Sequence, residues 1–338
     1  MCSELEKSNR SFSVYDCGYI KSELEAILKA FHFLFKLRKA NADIYLAIYP
    51  VAGIFPIILR KHPVITAVFD MVPFYVRGYD NFLKFAFKRW CIRFACKNSD
   101  FLIVDFVSNK EKIIKLFNVP EAKIALLSHL SHGVNHRTYY PEPGSKKKYN
   151  ISFLGEAKRS KGMDSVIRAF QLINKDLPGA TLTLASHGSE LAQMKALAES
   201  LLPEGSYEFV GFVPEDKMRE FYNRADVFAF PSRYGMGLSS LEAMACGTPA
   251  IVGRGQDTKD FINDPDVMVD PDSEQEIAVK ILALFKDRQL YQQKVTQGLA
   301  IAGAYSWESM TNKYYELCRA VYRQSKPDID DSVRISDP

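Results

Sequence analysis

Two short segments in the second half of the chain combine residue types that suit a phosphate ligand. Residues 153–162 form an apolar run, a basic loop and Lys161, whose ammonium can reach a diphosphate as a mobile point charge. Alone this segment is weak evidence, because surface lysines are usually just solvated. In residues 230–249, Gly235 and Gly237 let the backbone bend closely around a ligand directly before a helical pattern.

The helix expected after these glycines would supply the rest of an anion site. Ser239 or Ser240 can cap its first turn, and the free N–H groups and positive dipole end of a helix N-terminus suit a pyrophosphate. Glu242 is predicted just inside the helix, where its carboxylate can accept two hydroxyl protons of a ribose. The alternative is that Glu242 only complements the helix dipole.

The elements that must position these segments alternate between strand and helix. Apolar, β-branched runs predict strands at 44–49, 64–69, 101–104 and 123–127, and in the second half at 149–154, 181–186, 207–210, 227–230 and 250–252. Amphipathic patterns predict helices at 21–38, 81–96, 109–117, 162–174, 189–201, 215–224, 239–245, 258–262, 273–285, 287–302 and 307–323. Repeated strand–helix units with right-handed crossovers favour two doubly wound, Rossmann-like α/β domains in tandem.

The domain boundaries are predicted from composition. Residues 141–148 combine turn residues with a lysine run, which predicts a linker. We expect an N-terminal domain over 1–140 and a C-terminal domain over 141–324, whose last helix packs back on the first domain. A polar stretch over 325–338 predicts a disordered tail.

Composition excludes several classes of protein. A chain of 338 residues with 47% hydrophobic and 25% charged residues is typical of globular proteins. It has no apolar run long enough to span a membrane, and residues 1–20 show no secretory signal. Six scattered cysteines without a C-x-x-C motif favour reduced thiols in a cytoplasmic protein and argue against a zinc site or a disulfide framework.

Charge is unevenly distributed along the chain. Residues 1–150 carry 23 Lys and Arg against 13 Asp and Glu, a net of +10, which leaves 21 against 27 and a net of −6 for the remainder. A basic half favours a phosphate-bearing or membrane-surface partner, although a chance distribution is the alternative. No motif for binding nucleic acid accompanies it.

Residues 81–97 of the basic half interleave aromatic and basic side chains. An interfacial helix needs this composition, because aromatic rings enter the headgroup region while cations meet anionic lipids. The alternative is a helix that packs in the core and whose basic residues are its solvated face. The periodicity does not separate the two, and we favour the core-packing helix.

The order of these segments resembles a known family. Residues 230–249 look like the signature of the retaining GT-B glycosyltransferases of family four (glycosyl transferases group 1). Residues 153–162 are similar to that family's phosphate loop, 211–214 to the turn that holds the nucleotide base, and 267–271 to the turn that follows the signature. In the first half, 64–73 and 132–141 also resemble family segments, so the likeness spans about Asp43 to Tyr322.

This resemblance implies a GT-B fold, with two Rossmann-like domains facing across a cleft. Nothing in residues 1–20 resembles the family's opening strand and glycine loop, so the N-terminal domain is expected to lack its first strands. The implied activity is transfer of a hexose from a UDP-, GDP- or ADP-linked sugar to a glycan or lipid-linked acceptor, with retention of configuration and without a metal or cofactor. Such a protein is expected in the cytoplasm or peripherally at the inner membrane face.

The resemblance also implies roles for individual residues. Lys161 would bind the donor diphosphate, Glu242 the ribose hydroxyls, and Asp70 would lie near the acceptor. Phe212 and Val213 would line the base, while backbone N–H groups of residues 236–238 would hold the phosphates and sugar. The implied catalytic set is Lys161, Glu242 and Asp70, and the implied donor-binding set is Gly155, Lys161, Phe212, Val213, Tyr234, Gly235, Met236, Gly237, Leu238 and Glu242.

Three positions depart from the family pattern. Tyr234 stands where the family has its first signature glutamate, Glu156 where the phosphate loop has an arginine, and Phe69 where a histidine precedes the acceptor-side aspartate. These departures favour a second hypothesis, a catalytically silent GT-B protein that acts as a binding or scaffolding subunit of a glycosylation complex. An epimerase or a phosphorylase-like enzyme is less well supported, because neither an epimerisation residue set nor a pyridoxal lysine motif is recognisable.

Overall fold

The computed structural model describes residues 32, 34–69, 71, 74, 82–127, 133–234, 237–255 and 262–325, with the backbone alone for 82–84. The chain divides into two compact units, Met1–Ser131 together with Met310–Pro338, and His132–Ser309. The boundary therefore precedes the predicted one at 140/141. The segment read as a linker lies in the second unit, where Lys146 donates hydrogen bonds to the Ala225 carbonyl oxygen and to Thr248.

The described part of the first unit contains a parallel four-stranded sheet in the order β1-β2-β3-β4. Its strands are β1 (Tyr45–Ala47), β2 (Val64–Val68), β3 (Phe101–Val104) and β4 (Ile124–Leu126). The helices between them are α1 (Pro50–Ile58), α2 (Phe82–Asn98) and α3 (Val107–Phe117). The two central strands, β2 and β3, are almost wholly buried, as is usual for parallel strands, whereas the outer strands β1 and β4 are partly exposed.

Helix α1 is absent from the sequence-based prediction. Its residues include Pro50, Gly53 and Pro56, which are typical of loops. Pro50 opens the helix, where its missing N–H costs nothing. A Cβ on Gly53 would lie 2.4 Å from the Thr66 hydroxyl oxygen, so the glycine lets α1 approach β2 closely.

Helix α2 turns its small and aliphatic residues toward the core. Cys91, Ile92, Ala95 and Cys96 are buried, whereas Trp90 is half exposed. One face of the helix therefore packs in the core, as the interpretation favoured from the sequence expects, while Phe87 and Trp90 lie exposed among the basic residues of the other face.

The second unit is built on a parallel six-stranded sheet in the order β10-β9-β8-β5-β6-β7. Its strands are β5 (Asn150–Leu154), β6 (Thr181–Ala185), β7 (Tyr207–Phe209), β8 (Val227–Phe230), β9 (Ala250–Gly253) and β10 (Met268–Val269). Its helices are α4 (Met163–Asp176), α5 (Leu191–Leu201), α6 (Glu215–Arg224), α7 (Leu238–Ala245), α8 (Glu274–Lys286) and α9 (Arg288–Ala304). The strand order reverses between β5 and β8, which is where a doubly wound sheet opens a crevice for ligands.

The last described helix, α10 (Trp307–Ser325), begins in the second unit and continues into the first from Met310. The predicted tail beyond Ser325 and most of the helix predicted at 258–262 lie outside the described residues, as does the opening of the chain. Within the described ranges, no helix is both long enough and apolar enough to cross a bilayer. The parallel α/β architecture expected from the sequence is confirmed in both units, and the reversal of strand order that marks a doubly wound sheet is present in the second unit.

Candidate donor-binding site

The two segments predicted to contact phosphate lie side by side at the β5/β8 switch point. Arg233 lies in the loop after β8, and Ser160 lies in the loop after β5. The backbone N–H of Arg233 donates a hydrogen bond to the carbonyl oxygen of Ser160 at 2.9 Å. The Ser232 hydroxyl donates to the same oxygen at 3.2 Å. The loops that follow neighbouring parallel strands are therefore joined at the carboxyl edge of the sheet, where ligands bind in this architecture.

Gly162 allows this close approach. It caps the N-terminus of α4 with a left-handed φ of 81°, after a single 3-10 turn over Arg159–Lys161. A Cβ at this position would lie 2.2 Å from the Pro231 carbonyl oxygen. Since only glycine satisfies both conditions, Gly162 fixes the direction in which Lys161 leaves the loop.

The ring of Phe230, at the end of β8, forms a floor beneath the loops. The Lys161 ammonium lies 6.0 Å from the ring centroid. Cβ atoms added to Gly155 and Gly237 would lie 3.0 Å and 2.7 Å from ring carbons, so both backbones pass directly over Phe230. The sequence predicts Phe230 only as a strand residue, yet three predicted donor-binding residues converge on it.

Arg233 fastens the loop after β8 to the start of α4. Its guanidinium pairs with both carboxylate oxygens of Asp164 at 3.3 Å and with Asp272 at 2.6 Å, and it also donates to the Arg159 carbonyl oxygen. The side chain is only 16% exposed. A forked cation can hold two carboxylates and a carbonyl at once, so the loop is fixed before any ligand binds.

Helix α7 begins at Leu238, and its cap residue is Gly237, not Ser239 or Ser240 as predicted. The left-handed φ of 75° at Gly237 turns the chain into the helix earlier, so both serines lie within it. A glycine cap offers no side-chain oxygen to the first-turn N–H groups, which leaves the positive helix end open to an anion. Gly235 and Met236, which the prediction also includes, lie outside the described residues.

Glu242 is buried in the second turn of α7, with 8% of its surface exposed. The Tyr222 hydroxyl donates to its Oε2 at 2.7 Å, and the Tyr139 hydroxyl also hydrogen-bonds to the carboxylate. Burial raises the pKa of Glu242, while the two hydroxyls oppose that rise. A carboxylate held in this way is more than a complement to the helix dipole. The sequence did not identify either tyrosine, because neither is near Glu242 along the chain.

Glu156 does not act as an isolated negative charge in the loop after β5. Its carboxylate pairs with the Lys158 ammonium at 2.9 Å, and its Cγ lies 2.9 Å from where a Gly188 Cβ would be. The backbone N–H of Ala157 donates to the His187 carbonyl oxygen at 2.7 Å. The basic loop is thereby joined to the loop after β6.

The predicted base-contacting and sugar-contacting side chains are exposed. Phe212, 73% exposed, lies after β7 and meets the His187 ring edge-on at 6.3 Å between centroids. Val213 is half-buried, and Tyr234 is 62% exposed in a turn closed by Ser232. These residues lie after β6, β7 and β8 of the same sheet. Asp70 falls outside the described residues, in the range of the first unit.

Comparison with known proteins identifies the second unit. Residues 138–298, which contain all the loops described above, match the family Glycosyl transferases group 1. The matched region is a glycosyl transferases group 1 domain. The structural likeness of the chain to HepE of Anabaena, solved in complex with UDP and glucose, has a TM-score of 0.73 at 16% identity and covers 94% of this chain and 89% of that one. This likeness shows the GT-B fold, which confirms the expected fold class.

Two curated relatives extend the comparison of this group 1 domain. The chain is 26% identical over 219 residues to the O-antigen chain mannosyltransferase B of Escherichia coli, which covers 61% of this chain and 56% of the relative. It is 26% identical over 241 residues to a GDP-mannose-dependent phosphatidylinositol monomannoside mannosyltransferase of Mycobacterium tuberculosis, which covers 64% and 61%. The chain thus spans less than two thirds of the length of these relatives.

Proposed function

We propose that this protein is a glycosyltransferase that moves a sugar from a nucleotide-sugar donor to a glycan or lipid-linked acceptor, with retention of anomeric configuration. The observation that carries the proposal is the convergence of Lys161, Gly155 and Gly237 on Phe230 at the switch point of a group 1 domain. The donor diphosphate would lie over Phe230, between the Lys161 ammonium and the N-terminus of α7.

The proposed chemistry depends on where charge develops. When the bond between the anomeric carbon and the diphosphate breaks, negative charge accumulates on the departing phosphate oxygen. In this proposal the Lys161 ammonium and the free N–H groups at the start of α7 stabilise that charge. In this proposal no metal or cofactor takes part, and Gly237 and Leu238 supply backbone N–H groups.

The nucleoside would extend from the diphosphate toward Glu242 and Phe212. A carboxylate fixed by two tyrosine hydroxyls presents its remaining lone pairs in a set direction, which suits a pair of ribose hydroxyls. Phe212 offers an exposed aromatic face to the base. The relative from M. tuberculosis is named for its GDP-mannose donor, so we propose GDP-mannose as the first donor to test, ahead of UDP- and ADP-linked sugars.

A second candidate function is a GT-B protein that binds a nucleotide sugar without turning it over, as a subunit of a glycosylation complex. The observation in its favour is Tyr234, which stands in place of the family's first signature glutamate and is largely exposed. The two candidates share the donor site and differ in turnover.

Release of nucleoside diphosphate from each donor, with and without glycan or lipid-linked acceptors, separates the two candidates. We expect release by the wild type and a loss of about 10²–10³-fold in kcat for Lys161→Ala. Lys175→Ala removes an exposed lysine from the other end of α4 and should leave the rate unchanged. Donor binding without release by the wild type would refute the transferase and support the silent subunit, and NMR of the product anomer tests retention.

A further inference from the structure

Helix α2 of the first unit presents an aromatic row to the solvent. Phe87 and Trp90 are 57% and 50% exposed. Their rings are stacked at 6.2 Å and 23°, and Trp90 is stacked in turn on Phe94 at 5.4 Å and 27°. The spacing of three and four residues places the three rings in one row along the helix.

The same helix is basic and carries no carboxylate. The sequence Phe82–Asn98 contains no aspartate or glutamate, and its five cations are Lys84, Lys88, Arg89, Arg93 and Lys97. Arg93 and Lys97 are exposed and lie one turn apart. The Arg89 guanidinium lies over the rings of Phe74, at 4.9 Å, and Phe85, at 5.7 Å, beside this row.

The opposite face of α2 accounts for its attachment to the unit. Cys91, Ile92, Ala95 and Cys96 are buried against the sheet side. The helix is therefore anchored without using Phe87 and Trp90. Exposed aromatic rings of this size cost free energy in water, and a polypeptide that leaves a row of them uncovered has a surface suited to an apolar contact.

We propose that the outer face of α2 binds the surface of a membrane that contains anionic lipids. Aromatic rings prefer the headgroup level, where their apolar bodies leave water, and cations flanking them meet lipid phosphates. The charge complementarity favours an anionic lipid surface, since the helix has no carboxylate to repel it. The residues of this surface belong to the first unit and those of the candidate donor site to the second, so the proposal does not depend on sugar transfer.

The two tryptophans of the chain, Trp90 and Trp307, make the contact directly measurable. Trp307→Phe leaves Trp90 as the single fluorophore, and Trp90→Phe leaves Trp307, which is also partly exposed, as the matched control. On adding phosphatidylcholine vesicles with 30% phosphatidylglycerol, we expect a blue shift of Trp90 emission and quenching by brominated acyl chains. Trp307 emission should not change. Absence of the Trp90 shift, or an equal shift of Trp307, would overturn the proposal.

A pair of charge variants tests the cations. Each cation near an anionic surface strengthens partitioning about fivefold, so Arg93→Gln with Lys97→Gln should weaken vesicle co-sedimentation about 25-fold. Lys115→Gln with Lys123→Gln removes the same charge from exposed positions elsewhere in the unit and should bind as the wild type does. The proposal of an anionic-membrane surface would be contradicted if both pairs weakened binding equally, or if the protein bound pure phosphatidylcholine equally well. It would also be contradicted if a rise in protein concentration alone shifted the Trp90 emission, which would indicate that a second copy of the chain covers this face.

Discussion

Replacing Tyr222 by phenylalanine removes one hydroxyl from Glu242 and leaves the buried ring in place. Tyr222 is fully buried, and its hydroxyl lies 2.7 Å from the Glu242 carboxylate. A hydrogen bond to a charged group contributes about 1.5–3 kcal/mol, so we expect the free energy of unfolding to fall by that amount at neutral pH. Tyr139 remains as the second donor, which keeps the carboxylate from being wholly unpaired.

The size of this loss depends on pH in a defined direction. Burial raises the pKa of Glu242 above its ordinary value of 4.5. The contribution of this group to stability is therefore fully present below pH 4.5 and is lost as pH rises through the raised pKa. The Tyr222 hydroxyl opposes that rise, so Tyr222→Phe should cost most at neutral pH and least in acid, where the carboxyl is protonated in both proteins.

Nucleotide affinity should respond to the same group. If the ionised Glu242 accepts ribose hydroxyls, affinity falls as pH decreases through its pKa. Since one pH unit corresponds to about 1.36 kcal/mol, loss of the tyrosine hydrogen bond should move this transition upward by about one to two pH units. Calorimetric titration with nucleoside diphosphate between pH 5 and 8, together with urea unfolding, measures both effects.

Tyr291→Phe is the matched control, because the Tyr291 hydroxyl donates to a neutral carbonyl, that of Asp226, at 3.2 Å in the same unit. It should cost about 1 kcal/mol or less and leave nucleotide affinity unchanged. If Tyr222→Phe behaves like Tyr291→Phe in both assays at every pH, Glu242 is not a ribose-binding carboxylate held by tyrosine.

Two further predictions concern the loops around Phe230. Gly162→Ala combines a left-handed φ, which costs roughly 1–2 kcal/mol, with a Cβ 2.2 Å from a carbonyl oxygen, so it should destabilise the chain by more than about 2 kcal/mol in urea unfolding. Gly179→Ala, with open space around its Cβ, should change stability by under about 1 kcal/mol, and equal effects would refute the packing argument. Arg233→Lys keeps the charge but loses the fork, so we expect a loss of about 1.5–3 kcal/mol and weaker nucleotide binding in calorimetry. Arg254→Lys, at an ion pair whose arginine is 53% exposed, should cost under about 1 kcal/mol, and a similar cost for both would show that Arg233 does not fix the loop.

The second unit could be predicted from the sequence almost element by element. The strand predicted at 227–230 is β8 (Val227–Phe230), and the helix predicted at 162–174 is α4 (Met163–Asp176). These elements have strong local signals, since buried parallel strands are continuous apolar runs and α4 alternates buried and solvated positions with helical spacing. The two loops predicted to contact phosphate could be picked out from the sequence because their glycine and lysine patterns are local too.

What the sequence missed depends on tertiary contact. The hydrogen bond from Tyr222 to Glu242 joins residues twenty positions apart, and Tyr139 is far more distant along the chain. The convergence on Phe230 exists only once β5 and β8 are neighbours. Helix α1 was missed for another reason, because proline and glycine within it give the local signal of a loop while packing against β2 stabilises the helix.

The exposed face of α2 shows the same limit. From the sequence, a helix with aromatic and basic residues suits either packing in the core or contact with a membrane surface. Which of the two applies depends on which face of the helix packs against the sheet. The structure places Cys91 and Ala95 against the core and leaves Trp90 half exposed, which no periodicity argument could decide.

Thermal unfolding with GDP-mannose, UDP-glucose and ADP-glucose tests the central claim most directly, namely that Lys161 and the N-terminus of α7 form a nucleotide-sugar site. A ligand at 100 times its Kd stabilises the folded state by about 2.7 kcal/mol, which for a unit of this size raises the Tm by about 5–10 °C. We predict such a shift with one of the three donors for the wild type and for Lys175→Ala, and its loss for Lys161→Ala. No shift with any donor, or an equal shift for Lys161→Ala, would contradict the account.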